Sequence, residues 1–230
     1  MSESPLEILY FSDVLCVWAY AGQVRLDELQ AKFGDRVRTV HCFLNVYGDV
    51  VGRIQEHAGD HRDPSAAYAE RMRQVAAQFD HTSMCAECFT EVVPRSSNQA
   101  HLLLCAVRLL IAEGALGDNG DARMQALVRR VRTAFFEEAR DVGHRDVLFS
   151  LLEDEGVPRD AVERRLADGS AMAELSRDLM QKDKHAIAGS PTYLLDGGRE
   201  KLFGNVGYRV IEANVSELLD AGSRRGASWC

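Results

Sequence analysis

Residues 6–29 read LEILYFSDVLCVWAYAGQVRLDEL, and the reading of this stretch decides the fold. Leu6 to Phe11 is a short apolar run whose length and residue types suit a buried strand. Ser12 and Asp13 break it. From Cys16 onward, Val17, Tyr20, Ala21, Val24, Leu26 and Leu29 recur at helical spacing, which predicts a helix from Cys16 to Phe33, stopped by Gly34. Cys16 thus falls at a strand-to-helix junction. Unpaired backbone N–H groups and the positive end of the helix dipole favour a thiolate there, and the thiolate is the nucleophile. The competing reading makes Cys16 a small buried apolar residue, the usual fate of a free cysteine.

Outward from this stretch, Arg36 to Asn45 (RVRTVHCFLN) is β-prone and follows a short turn. Strand, helix and strand so connected predict a right-handed βαβ unit with parallel, adjacent strands. His41 and Cys42, as strand neighbours, face opposite ways and form no dyad. Near the other end, Thr192 to Leu195 and Lys201 to Phe203 read as strands around the turn Asp196-Gly197-Gly198, a β-hairpin, and a helix from Tyr208 to Ala221 follows.

The middle is mostly helical. Gly48, Gly52 and Gly59 with the polar run Glu56 to Asp63 suggest an exposed loop, and Pro64 opens a helix carrying Tyr68, Met72, Val75 and Phe79 on one stripe. His81 and the pair Cys85-Ala86-Glu87-Cys88 leave three readings open: a zinc site, a second redox pair, or incidental thiols. Ser96 or Ser97 is expected to cap a helix whose Ala100 to Ile111 form an apolar face, with His101 and Cys105 one turn apart. The helix ending at Arg140 carries Met124, Leu127, Val131 and Phe135 inward, with Arg129, Arg130 and Arg132 expected on a solvated face. Shorter helices over 146–155 and 158–166 and a longer one over 170–185 lead back to the closing strands. The tail 222–230 is small and polar and is expected to be flexible.

Composition narrows the function. The 230 residues are 46% hydrophobic, enough for a large core, and 35 acidic against 27 basic residues give a net charge of −8. No basic tract stands out, so nucleic acid and anionic membrane are poor partners. Neither an export signal nor a membrane-length apolar run is visible, and the six cysteines form no compact disulfide framework, which points to a cytoplasmic protein with reduced thiols.

Two motifs carry a resemblance. Asp13-Val14-Leu15-Cys16-Val17-Trp18-Ala19-Tyr20 resembles the active-site segment of the DsbA-like thioredoxin-fold superfamily, where a Cys-Pro-x-Cys type motif opens the first helix. Ile187-Ala188-Gly189-Ser190-Pro191-Thr192 resembles that superfamily's proline loop, in which the proline is cis and packs beside the reactive cysteine. Their separation resembles the FrnE-like, kappa-glutathione-transferase and 2-hydroxychromene-2-carboxylate isomerase branch. The resemblance implies an α/β thioredoxin-like fold, βαβ … ββα, built from 1–48 and 186–221, with a large inserted all-helical domain over 49–185.

The same resemblance implies thiol chemistry with one departure. Ala19 stands where the second, resolving cysteine would be, and Val17 where the proline would be. Cys16 would then act as a single nucleophile, with Ser190 and Pro191 offering backbone groups to the partner, Trp18 an apolar wall, and Thr192 opening the strand beyond. No tightly bound cofactor and no metal is expected. Glutathione or another low-molecular-weight thiol is the expected co-substrate, with a thiol or disulfide substrate and, as in kappa-like relatives, a homodimer. A transferase or isomerase in which Ser12 or Cys16 holds the glutathione sulfur is the alternative, though such relatives usually carry serine where Cys16 stands. A catalytically retired binding module is the third reading.

Overall fold

The computed structural model describes residues 4–59 and 61–221. The sequence reading of the tail therefore lies outside the described residues. Four strands form one mixed sheet in the order β2-β1-β3-β4: β1 Leu6–Ser12, β2 Val37–Phe43, β3 Thr192–Leu195 and β4 Glu200–Phe203. β1 and β2 run parallel, Leu6 opposite Val37 through Ser12 opposite Phe43. β3 returns antiparallel against β1 and pairs antiparallel with β4. The apolar runs on β1 and β3 are buried because both sheet faces are covered, so Ile8, Tyr10, Phe11, Tyr193 and Leu195 are all inside. This is the thioredoxin-like α/β arrangement, with βαβ at one end of the chain and ββα at the other.

The single helix expected from Cys16 to Phe33 is two: α1 Val17–Ala21 and α2 Gln23–Phe33, meeting at Gly22. A side chain at Gly22 would put its Cβ 3.0 Å from the Trp18 carbonyl and 3.6 Å from the Tyr10 hydroxyl, so the chain approaches itself there closely enough to favour glycine. A larger difference lies at 50–58. The polar run had suggested a loop, but Val50–Ala58 is a helix, α3, whose first turn is capped by Asp49 accepting the Gly52 N–H at 3.0 Å. Its inward residues, Val50 and Ile54, are one turn apart and buried. The remaining helices are α4 Pro64–Ala76, α5 Asn98–Ala112, α6 Gly120–Phe136, α7 Arg145–Asp154, α8 Arg159–Ala167, α9 Ser170–Lys184 and α10 Tyr208–Ala221. Among the described residues no helix is long and apolar enough to cross a membrane.

Packing joins the helical segment to the sheet through the start of the chain. Val14, Leu15, Cys16, Val17 and Tyr20 belong to the same apolar core as Leu103 and Leu104 of α5 and Phe135 and Phe136 of α6. A second core, around Ile8, Tyr10, Leu26, Tyr193 and Ile211, lies on the face covered by α2 and α10. Arg108 of α5 ties the layers together. It donates to the His41 carbonyl at 2.6 Å and pairs with Asp178 of α9 at 3.0 Å, and Asp178 in turn accepts the Phe43 N–H at 2.9 Å. The carboxylate thereby gives the Phe43 N–H an acceptor on the outer edge of β2, where no further strand lies among the described residues.

Arg132 corrects the expected solvated arginine face. It is 1% exposed, and its guanidinium donates to the Ser12 hydroxyl at 2.9 Å and to the Gln23 side chain. Arg129 and Arg130 do lie outward, in surface ion pairs with Asp27 and Glu138.

Candidate active site

Strand β1 delivers the chain to a tight turn, Asp13 to Cys16, before α1 begins. Asp13 holds that turn. One carboxylate oxygen accepts the Leu15 N–H at 2.9 Å; the other accepts the Tyr47 N–H at 2.9 Å and the Ser97 hydroxyl at 2.8 Å. The Asp13 N–H itself donates to the Ser190 hydroxyl at 3.0 Å, linking the turn to the proline loop 177 residues away. The expected cap role of Ser97 is thus replaced: its hydroxyl turns inward to Asp13 and makes no cap bond to α5. His101 joins the same cluster. Its Nε2 accepts the Val14 N–H at 3.3 Å, its ring stacks on Phe43 at 5.1 Å, and burial lowers its pKa, keeping it neutral. It makes no pair with Cys105, whose sulfur faces Arg108 and Asp178.

Cys16 stands at the position before α1, and its thiol donates to the Ser190 carbonyl at 3.5 Å. The Ser190–Pro191 peptide bond is cis. The sequence reading expected the helix start to favour a thiolate. In the fold, burial pushes the Cys16 thiol up, while the Ser190 side chain and the Ala19 and Trp18 amides pull it back only in part.

The sulfur opens into a cleft of about 450 Å³. Trp18, Tyr47, Tyr68, Met72 and Phe203 supply apolar wall, and Ser190 closes the side facing the sulfur. Arg53, His57, Arg71 and Lys182 supply positive or titratable groups. The Arg53 guanidinium lies 4.8 Å over the Tyr47 ring and that of Arg71 5.6 Å over Tyr68. Neither guanidinium has a carboxylate partner among the described residues, in a chain whose net charge is −8. α3 and α4 therefore bring to the lining of the cysteine cleft two cations without a carboxylate partner among the described residues.

The residues singled out in the sequence divide accordingly. Cys16, Trp18 and Ser190 line the cleft. Ser12 does not: it is fully buried at the end of β1 and held by Arg132, out of reach of a ligand in the cleft. Thr192 is also fully buried, its hydroxyl closing the loop onto the Gly189 carbonyl at 2.7 Å. Pro191 is buried, and its carbonyl already accepts the Gly204 N–H at 2.8 Å, so Ser190 rather than Pro191 has the backbone group turned to the sulfur. Tyr47, Arg53 and Arg71 were missed. The available signal was the one-turn spacing of Val50 with Ile54, which makes 50–58 a helix and puts Arg53 on the flank of its buried stripe.

The histidine and cysteine motif at 81–88 brings no metal set together. His81 Nε2 bonds the Ala21 carbonyl at 2.9 Å and His57 Nδ1 the Arg53 carbonyl at 2.9 Å. Among the described residues no three His, Cys, Asp or Glu side chains converge as a site for a metal ion.

A thioredoxin-type sheet, a cysteine at the start of the first helix and a proline loop against its sulfur define a class of thioredoxin-fold protein. Within that class the chain belongs to the DSBA-like thioredoxin domain family, whose model it matches over residues 7–216. No curated protein matches the sequence. Solved structures share the fold at low identity. A protein described as a probable DsbA oxidoreductase from Streptomyces coelicolor superposes with a TM-score of 0.70 at 21% identity, covering 98% of this chain and 93% of that one. The cytosolic disulfide reductase DsbM from Pseudomonas aeruginosa, solved with GSH, gives 0.63 at 18% identity, covering 95% and 100%. A 2-hydroxychromene-2-carboxylate isomerase gives 0.63 at 15% identity, covering 96% and 100%.

Proposed function

We propose that the protein is a thiol–disulfide oxidoreductase that works through Cys16 alone and uses a small, acidic thiol as its second reactant. The observation that carries the reading is Cys16 at the wall of a cleft, with Ala19 one turn on and, in the same lining, the guanidiniums of Arg53 and Arg71, which have no carboxylate partner among the described residues. The Cys16 thiolate attacks one sulfur of a disulfide, forms a mixed disulfide and expels the other half as a thiolate. With no thiol at position 19, that bond persists until a second small thiolate attacks it. Cys16 is then regenerated and the small thiol leaves as a disulfide. Arg53 and Arg71 favour a thiol carrying carboxylates, of which glutathione is the type, and Trp18, Tyr47 and Tyr68 flank its apolar parts. Such chemistry belongs in a reducing, cytoplasmic setting, and the buried, unpaired thiols of Cys42 and Cys105 support that.

The test compares two disulfides of opposite charge, glutathione disulfide and cystamine, in their rate of reaction with Cys16. The wild-type protein is expected to prefer the anionic reagent, and Arg53→Glu with Arg71→Glu to slow it by about tenfold or more relative to cystamine. Equal rates for both reagents in both proteins would refute an acidic co-substrate. Failure of Cys16 to react with either would refute the oxidoreductase reading itself.

A further inference from the structure

Cys85 and Cys88 play no part in the Cys16 cleft, yet the fold brings their sulfurs together. They stand 2.6 Å apart, and both sulfurs turn to one acceptor, the Phe135 carbonyl at the end of α6, at 3.7 and 3.0 Å. The segment between α4 and α5 is shaped to hold them so. The Cys85 N–H donates to the Phe136 carbonyl at 2.8 Å, the N–H groups of Thr90, Glu91 and Val92 all converge on the Glu87 carbonyl, and Phe89 adopts a positive φ of 64°. A non-glycine residue in that conformation is held by its surroundings. Here the Phe89 ring is clamped by Tyr47, Tyr68 and Phe135 at 5.7, 5.3 and 4.9 Å. The two thiols also differ in access. Cys88 is fully buried, whereas Cys85 keeps part of its surface in solvent.

We propose that Cys85 and Cys88 are a second redox centre, a dithiol that a low-molecular-weight disulfide oxidises to an intramolecular disulfide. The partly exposed Cys85 thiolate attacks one sulfur of the reagent RSSR, forming a mixed disulfide and releasing RS⁻. The Cys88 thiol then attacks the Cys85 sulfur, displacing the second RS⁻, which takes up the Cys88 proton. Two thiols are oxidised, one RSSR is reduced to two RSH, and the electrons and protons balance. Burial makes Cys88 a poor first nucleophile and suits it to the second step, where its target is already in contact. This is the division of labour that Cys16, followed by Ala19, lacks.

The centre is also wired to the cleft by packing. Tyr47 and Tyr68, which hold Phe89, line the Cys16 cleft and share a 2.7 Å hydrogen bond. Tyr20 of α1 stacks on Phe136 at 4.7 Å and donates to the Ser83 carbonyl at 3.1 Å.

Tryptic digestion releases residues 74–95, a peptide with Cys85 and Cys88 and no other cysteine. Full-length protein is titrated with glutathione disulfide, quenched by alkylation under denaturing conditions and digested. The expected product is an unalkylated 74–95 peptide lighter by two hydrogens than the dithiol form, restored by reduction. The single variant Cys88→Ser is expected to stop at a glutathione adduct on Cys85. Full alkylation of the wild-type peptide at every ratio, or a stable glutathione adduct on wild-type Cys85, would overturn the proposal. The same titration in Cys16→Ser leaves the expected result unchanged, so its failure is distinguishable from failure of the Cys16 chemistry.

Discussion

At Cys16 two influences oppose each other, and their balance sets how the sulfur reacts. Burial holds the thiol protonated, and the Ser190 side chain with two backbone amides offsets this only in part. Alkylation of Cys16 by iodoacetamide is therefore expected to rise with pH to a midpoint above the free cysteine value of about 8.5, followed by mass spectrometry of its peptide. A midpoint below that value would show that the helix start dominates. Asp13 matters differently, since it is not among the residues lining the cleft and instead accepts bonds from Leu15, Tyr47 and Ser97. Asp13→Ala would leave three buried donors without an acceptor and is expected to cost about 3–5 kcal/mol, measurable by urea unfolding. Two buried histidines set the acid limit. Burial lowers His41 to about 3, with His101 lowered in the same direction, while the unfolded chain takes up those protons near 6.5. Below about 6.5 the unfolded state thus binds more protons than the folded state. Stability should fall as pH drops from about 6.5 towards about 3, and His41→Gln should flatten that fall.

Among the elements, β1, β2, β3, β4 and α10 were legible because each repeats one simple pattern: a short apolar run or a helical stripe bounded by turn residues. Asp196-Gly197-Gly198 marked its turn for a backbone reason, as all three adopt positive φ, Gly198 as far as 109°. α3 was illegible because glycines and charges obscured a narrow stripe of Val50 and Ile54, and the place of Arg53 in the cleft went unseen with it. Arg132 failed for a related reason. A periodicity argument assigns charge to the outside, whereas Ser12 and Gln23 give this guanidinium acceptors inside. The Arg108–Asp178 pair lies at the same scale, where α5 and α9 meet β2. Asp178→Ala leaves the Phe43 N–H without its acceptor, while Arg108 keeps the Glu174 carboxylate at 3.1 Å, and is expected to destabilise by about 1–3 kcal/mol in urea unfolding.

For the whole molecule, the division into a sheet half and a helical insertion describes the order of the chain better than its packing. Val14 to Tyr20, part of the first motif, contribute to the core built from α5, α6 and α7. The cysteine turn is consequently held by both halves: Ser190 from the proline loop and Tyr47 from the chain just before the insertion, Ser97 and His101 from within it at the start of α5. Thermal unfolding of a Trp229→Phe variant, followed by Trp18 fluorescence and by far-UV circular dichroism, should give coincident transitions, and separate ones would show that the helical part unfolds on its own. The motif quoted at the outset was readable as a strand, a turn and a cysteine. Its partners lie between 34 and 177 residues away, a separation that local patterning does not carry.

The central claim is that Cys16 acts without an internal resolving thiol, and the fate of its mixed disulfide tests it most directly. Wild-type protein is mixed with glutathione disulfide, freed of excess reagent and followed by intact-mass and peptide mass spectrometry. One glutathione should remain on Cys16 until an external thiol is added, whereas Ala19→Cys should release it unaided and form an internal disulfide. Absence of any adduct at Cys16, or its loss from the wild-type protein without added thiol, would contradict the account.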